Sequence, residues 1–119
     1  MMKVNVLGTE YEIVYKDYQD DNAFSKNSWS GYCDEVSKKI VVCNMRTFPN
    51  YEDESEERCK EEEKGILRHE LIHAFLSESG LSYSSLNYSS GWAKNEEMVD
   101  FFAIQFPKIA KVFKELKII

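Results

Sequence analysis

The sequence has no long run of apolar residues. None of its apolar stretches approaches the roughly 18 to 20 residues that a membrane-spanning helix needs. Its first eight residues also lack the apolar centre of a secretory signal peptide. We therefore expect a protein of the cytoplasm that has no membrane partner.

Basic residues are outnumbered by acidic ones. The chain carries 15 Lys and Arg against 21 Asp and Glu, for a formal net charge of −6 at pH 7. Nucleic-acid binding needs Lys and Arg clustered on one face, because they must contact phosphates. The lysines near the C-terminus instead have the spacing of the solvated side of an amphipathic helix: Lys108, Lys111, Lys114 and Lys117. We expect no nucleic-acid partner, and the sequence leaves the oligomeric state unknown.

Cysteine is scarce and lacks a metal-binding pattern. The three cysteines include no Cys-x-x-Cys pair, which excludes a disulfide framework and a zinc knuckle. Cys33 and Cys43 could face each other across a hairpin, but a reducing compartment disfavours a disulfide between them. The 119 residues suffice for one hydrophobic core, so we expect residues 1–119 to form a single domain.

The N-terminal half alternates β-favouring runs with turns. Two hairpins are predicted, at residues 4–15 and 31–43, and the second turns near Ser37. The polar residues 17–30 between them predict a loop with a short helical piece. The sequence therefore predicts a small antiparallel sheet of about three to five strands.

A helix is predicted after Pro49. Asp53, followed three residues later by Glu56, resembles a capping box that opens a helix. From Ile66 onward, apolar residues recur at three- and four-residue spacing until Gly80 provides a stop. This amphipathic pattern predicts that one face of the helix packs on the sheet.

The C-terminal third predicts two more helices after a loop. Residues 81–91 are rich in Ser, Tyr and Asn and predict a long loop. A helix begins near Asn95, and Pro107 should break it and start another. The predicted fold class is α+β, with the antiparallel sheet packed on the first helix and two further C-terminal helices behind it.

The predicted first helix contains the motif His-Glu-x-x-His, formed by His69, Glu70 and His73. Residues four apart on a helix lie one above the other, so both imidazoles can bind one ion at about 2.0 to 2.1 Å. Glu70 lies at the edge of that face, within reach of a metal-bound water. Because zinc lowers the pKa of such a water to about 7, Glu70 is the predicted general base.

A catalytic zinc needs a third protein ligand and an open fourth position. The chain has only two histidines, both in the motif, so the third ligand must be another residue type. Glu96 and Asp100 are four apart on the next predicted helix. Glu96 can bind one zinc ion there, and Asp100 can accept the remaining N–H of a ligand histidine. Glu97 and Glu78 stay open as alternative ligands.

His-Glu-x-x-His followed by Asn-Glu-x-x-x-Asp resembles the gluzincin branch of the zincin metallopeptidases. The resemblance implies His69, His73 and Glu96 as zinc ligands, Glu70 as base and Asp100 as the residue that orients a histidine. The small size also resembles the minimal metallopeptidase domains of phages and mobile elements, some of which act on repressor proteins. The transition-state-stabilising histidine of large gluzincins has no counterpart here, and Tyr83 and Tyr88 in the loop are the candidates for that role.

The predicted function is hydrolysis of peptide bonds in a peptide or protein substrate. The substrate would lie extended along an edge of the sheet, beside Ile40 to Cys43. One alternative is a zinc-binding adaptor that keeps the metallopeptidase fold as a scaffold without proteolysis, although a purely structural site has no use for Glu70. Another is a zinc hydrolase that acts on a non-peptide amide.

Overall fold

The computed structural model describes residues 2–84 and 91–119 of the chain. It contains a four-stranded sheet formed by β1 (Met2–Val6), β2 (Thr9–Lys16), β3 (Gly31–Asp34) and β4 (Lys39–Cys43). The helices are α1 (Asn22–Asn27), α2 (Glu56–Glu78), α3 (Leu81–Ser84) and α4 (Glu96–Glu115). Short 3₁₀ turns lie at Tyr18–Asp20, Met45–Thr47 and Trp92–Lys94. The fold class is α+β, as predicted.

The sheet is mixed, so the prediction of a purely antiparallel sheet was wrong. The strand order is β1-β2-β4-β3, and both predicted hairpins are present as the antiparallel pairs β1–β2 and β3–β4. The hairpins join through β2 and β4, which run parallel. Ile40 to Cys43 are fully buried, which suits an interior strand covered on both faces. The chain between β2 and β3 is long enough to cross over, and it places β4 rather than β3 beside β2.

Apolar side chains pack on both sides of β4. Ile40 and Val42 belong to one apolar cluster, which includes Ala74 of α2. Val41 and Cys43 belong to a second, separate cluster. This division follows from the alternation of side chains along a strand. Ile66 of α2 packs against both clusters. The motif helix is therefore fixed to the sheet along its length.

Both ends of α2 have polar anchors. Its N-cap is Ser55, whose hydroxyl accepts a hydrogen bond from the Arg58 amide at 3.1 Å, so the capping box predicted at Asp53 was placed two residues early. In the last turn, the Glu78 carboxylate accepts hydrogen bonds from Tyr11 Oη at 2.7 Å and Lys38 Nζ at 2.8 Å. These contacts connect the end of α2 to β2 and to the β3–β4 turn.

The C-terminal helix is continuous, so the two helices predicted around Pro107 were wrong. Pro107 lies inside α4, which runs on for two more turns. A proline removes the N–H that would bond the carbonyl four residues earlier. That carbonyl belongs to Ala103, and it accepts a hydrogen bond from Arg68 Nε of α2 at 2.6 Å. An external donor thus compensates for the bond that Pro107 cannot make.

The predicted loop at 81–91 begins as the short helix α3, and residues 85–90 lie outside the described part of the chain. Cys33 is paired with Ile40, not Cys43, across the β3–β4 ladder, and all three cysteines are free. Within residues 2–84 and 91–119, no helix combines the length and apolarity needed to cross a bilayer.

Candidate metal centre

The two motif histidines converge on one point. His69 and His73 lie on the same face of α2, and their Nε2 atoms are 3.2 Å apart. The rings meet edge to face, with centroids 4.9 Å apart. This is the geometry that a spacing of four residues gives on a helix. The lone pairs of both Nε2 atoms can therefore point at one metal ion.

Glu96 completes this group from the first turn of α4. Its Oε1 lies 2.8 Å from His73 Nε2, and its Oε2 lies 3.4 Å from His69 Nε2. Asn95 fixes the start of the helix, because its side chain accepts a hydrogen bond from the Met98 amide at 2.9 Å. The carboxylate therefore extends from a capped helix end across to α2.

Asp100 meets the outer side of one histidine. Its Oδ1 is 2.8 Å from His69 Nδ1. A carboxylate at Nδ1 holds the proton on that nitrogen, which leaves Nε2 of His69 with a free lone pair. This is the arrangement that the four-residue spacing of Glu96 and Asp100 predicted.

The donor set fits a cation of the size and preference of zinc. In tetrahedral coordination with bonds of about 2.0 to 2.1 Å, neighbouring donor atoms are about 3.3 Å apart. The spacings among His69 Nε2, His73 Nε2 and the Glu96 oxygens are 2.8, 3.2 and 3.4 Å. Two imidazoles and a carboxylate are also a donor set that zinc favours. The side chains could close around the ion with small movements.

Glu70 lies beside this group in a more enclosed position. It is 8% exposed, and its Oε2 lies 4.0 Å from His69 Nε2. Burial raises the pKa of Glu70 to about 7, and the charges of Glu96 and Asp100 add to that rise while His69 opposes it. A carboxyl group with a pKa in this range is suited to take and return a proton near neutral pH.

The histidine closer to Glu96 is kept in the form that binds metal. Burial lowers the pKa of His73 below its ordinary value, although the Glu96 carboxylate opposes this effect. A neutral imidazole has the free lone pair that coordination requires.

The three motif side chains lie close together. His69, Glu70 and His73 each offer one ligand atom, and these three atoms lie within 4.8 Å of one another.

The site opens into a cavity of about 780 Å³ between α2, α4 and β3. Along α2 the wall extends from Arg58 to His73. Trp29 and Gly31 contribute from the segment that enters β3. Because β3 is an edge strand and β4 is interior, the free sheet edge beside the cavity is β3. The expectation that substrate would lie beside Ile40 to Cys43 was therefore wrong.

Three other predicted candidates, Glu97, Glu78 and Tyr83, are not brought to the centre. Glu97 points into a separate cavity beside Trp92, and Glu78 is engaged with Tyr11 and Lys38 as described above. Tyr83 on α3 is 77% exposed and does not line the cavity. Tyr88 lies outside the described residues.

Two residues that shape the site had not been identified from the sequence. Arg68 contacts α4 by donating a hydrogen bond to the Ala103 carbonyl. The sequence signal for this contact is Pro107, four residues after Ala103, because a proline leaves that carbonyl without its usual donor. Gly31 allows β3 to approach α2, because a Cβ there would overlap Ile66 and lie 3.8 Å from Glu70 Cγ. A glycine at the start of a predicted strand gives no sign of which helix it will meet.

No family model, curated protein or solved structure matches this chain.

Proposed function

We propose that this protein is a zinc-dependent metallopeptidase of the gluzincin type, with His69, His73 and Glu96 as the ligands of one zinc ion. The observation that carries the proposal is the convergence of these three side chains, from two helices, at donor spacings of 2.8 to 3.4 Å. The enclosed carboxylate of Glu70 beside them gives the site a base as well as ligands. A purely structural zinc site would favour four protein ligands and would not need that base.

The residues divide the chemistry between them. When bound, zinc would act as a Lewis acid that lowers the pKa of a water molecule and polarises a peptide carbonyl. Glu70 would take a proton from the attacking water and return it to the leaving amine. Asp100 would hold His69 in the correct tautomer and orientation. His73, neutral through burial, keeps its lone pair available at neutral pH.

An extended peptide fits the shape of the cavity. The wall on α2 runs from Arg58 to His73, a rise of about 22 Å at 1.5 Å per residue. That distance matches about six or seven residues of extended chain. The outer edge of β3 offers main-chain hydrogen bonds to such a segment, as in strand addition to a sheet. We infer that the substrate adds to β3 and passes its scissile bond over the histidines.

The activity is tested with the zinc-loaded protein and a library of unstructured peptides, with cleavage read by mass spectrometry. We expect cleavage by the unaltered chain and a loss of about 10²- to 10⁴-fold in Glu70→Gln, with zinc still bound. Stoichiometric zinc without cleavage of any peptide, and a Glu70→Gln variant that behaves like the unaltered chain in cells, would instead favour the adaptor hypothesis.

The neighbouring glutamates of α4 provide a matched pair for the ligand assignment. Glu96→Gln should weaken zinc binding strongly, since it removes a charged donor 2.8 Å from His73 Nε2. Glu97→Gln makes the same chemical change one residue away, and it should leave zinc binding unchanged. The reverse result would assign the third ligand to Glu97.

A further inference from the structure

Pro107 creates an unusual requirement in α4. In a regular helix, the N–H of residue 107 would bond the carbonyl of residue 103. Pro107 has no N–H, and Ala103 is 3% exposed, so water is not a ready substitute. A buried carbonyl without a donor is costly, which means that another group must supply the hydrogen bond.

Arg68 supplies that hydrogen bond from α2. Its Nε lies 2.6 Å from the Ala103 carbonyl oxygen, across a sequence separation of 35 residues. The donor is charged, so this bond is stronger than one between neutral groups. Arg68 directly precedes His69 in the motif. The contact therefore joins the two helices that carry the proposed zinc ligands, next to those ligands.

The contact lies on the face of α4 that carries the site. Glu96, Asp100, Ala103 and Pro107 are separated by four, three and four residues, so they share one face of the helix. The buried residues of α4 are Val99 and Ala103, both in its first half. With so little apolar anchoring, a directional polar contact has a large part in setting where α4 lies along α2.

We propose that Arg68 is a positioning residue for the metal centre. By bonding the carbonyl that Pro107 leaves open, it fixes α4 on α2 so that Glu96 and Asp100 face the two histidines. Without this bond, α4 can shift or rotate, and the third ligand moves away from His73. The role rests on the proposed zinc site. It predicts that substitutions at residues 68 and 107 are coupled in their effect on stability, whereas only Arg68 affects the position of the zinc ligands.

The test measures zinc affinity, by competition with a chelator, and the visible spectrum of the cobalt-loaded protein. Arg68→Ala should weaken zinc binding about 10- to 100-fold, as is typical when the support of a ligand is lost. It should also change the cobalt spectrum, which reports the geometry of the ligands. A residue that only stabilises the fold would leave that spectrum unchanged.

Pro107→Ala is the matched partner, because it restores the missing N–H within α4. The variant alone should resemble the unaltered protein, since the Ala103 carbonyl can accept two hydrogen bonds. In the double variant, the restored N–H satisfies the Ala103 carbonyl but does not link α4 to α2. The double variant should therefore be more stable than Arg68→Ala, while its zinc affinity stays as weak and its cobalt spectrum stays altered. Arg68→Lys retains a donor and should lie between Arg68→Ala and the unaltered chain. If Arg68→Ala does not fold, the zinc affinity and cobalt spectrum of Arg68→Lys test the role instead.

The outcomes separate this role from the metal centre itself. Absence of zinc binding by the unaltered protein would overturn the metal centre, and the role with it. If the unaltered protein binds zinc, and Arg68→Ala and Arg68→Lys keep its affinity and cobalt spectrum, the positioning role alone is wrong. A double variant that regains the zinc affinity and cobalt spectrum of the unaltered chain would show that Arg68 only satisfies the Ala103 carbonyl, and would overturn the positioning role.

Discussion

Glu78 shows how a single residue connects the motif helix to the sheet. Its carboxylate accepts hydrogen bonds from Lys38 Nζ and Tyr11 Oη. These hydrogen bonds lower the pKa of Glu78 from 4.5 to about 2, and the one from Lys38 has the largest effect. Because the folded value lies below the ordinary one, ionised Glu78 stabilises the fold above about pH 4.5. That contribution is lost as the pH falls from 4.5 toward 2.

We predict that Glu78→Gln lowers the free energy of unfolding at pH 7 by about 1 kcal/mol, the size expected for a charged contact at the surface. Urea unfolding measured from pH 7 to pH 2.5 should show the difference shrinking below pH 4.5. Glu115→Gln is the control, since that glutamate pairs with Lys111 only at 4.0 Å in an exposed position. A difference that stays constant down to pH 2.5 would contradict this explanation.

At the scale of elements, the approach of β3 to α2 depends on Gly31. A methyl group at this position would overlap Ile66 Cγ2 and come within 3.0 Å of the Val41 carbonyl oxygen. Gly31→Ala should therefore push β3 away from α2 and destabilise the fold by about 1 to 3 kcal/mol. Because Glu70 Cγ lies 3.8 Å from the same point, the strain would also reach the proposed base.

Gly65→Ala is the matched control, because it adds the same methyl group one residue away from Ile66. There the new atom would meet only Arg68 Nη2, at 3.8 Å. Alanine also favours a helix interior over glycine by about 0.5 to 1 kcal/mol. Thermal unfolding should therefore show opposite signs for the two variants. Equal effects would mean that β3 does not pack tightly on α2.

The element scale also shows what the sequence could predict. Helix periodicity was sufficient to place His69 and His73 on one face, and the four-residue spacing of Glu96 and Asp100 was sufficient to place them together. The parallel pairing of β2 with β4 was not predictable from hairpin signals, because those signals describe only neighbouring strands. The continuity of α4 through Pro107 depends on Arg68, a residue 39 positions earlier, and local rules do not include such a partner.

At the scale of the whole molecule, zinc should link the two helices and stabilise the fold. A ligand that binds only the folded state, at 100 times its dissociation constant, adds about 2.7 kcal/mol. We predict that zinc raises the melting temperature, that a chelator reverses the rise, and that His73→Ala abolishes it. Glu97→Gln should retain the full effect. A rise of the same size in His73→Ala would place the zinc at another site.

The most direct test of the metal centre is anomalous diffraction at the zinc edge from crystals of the zinc-loaded protein. We predict one strong peak, within about 2.0 to 2.2 Å of His69 Nε2, His73 Nε2 and a carboxylate oxygen of Glu96. No peak between these atoms, or a peak there with Glu96 turned away from both histidines, would contradict it.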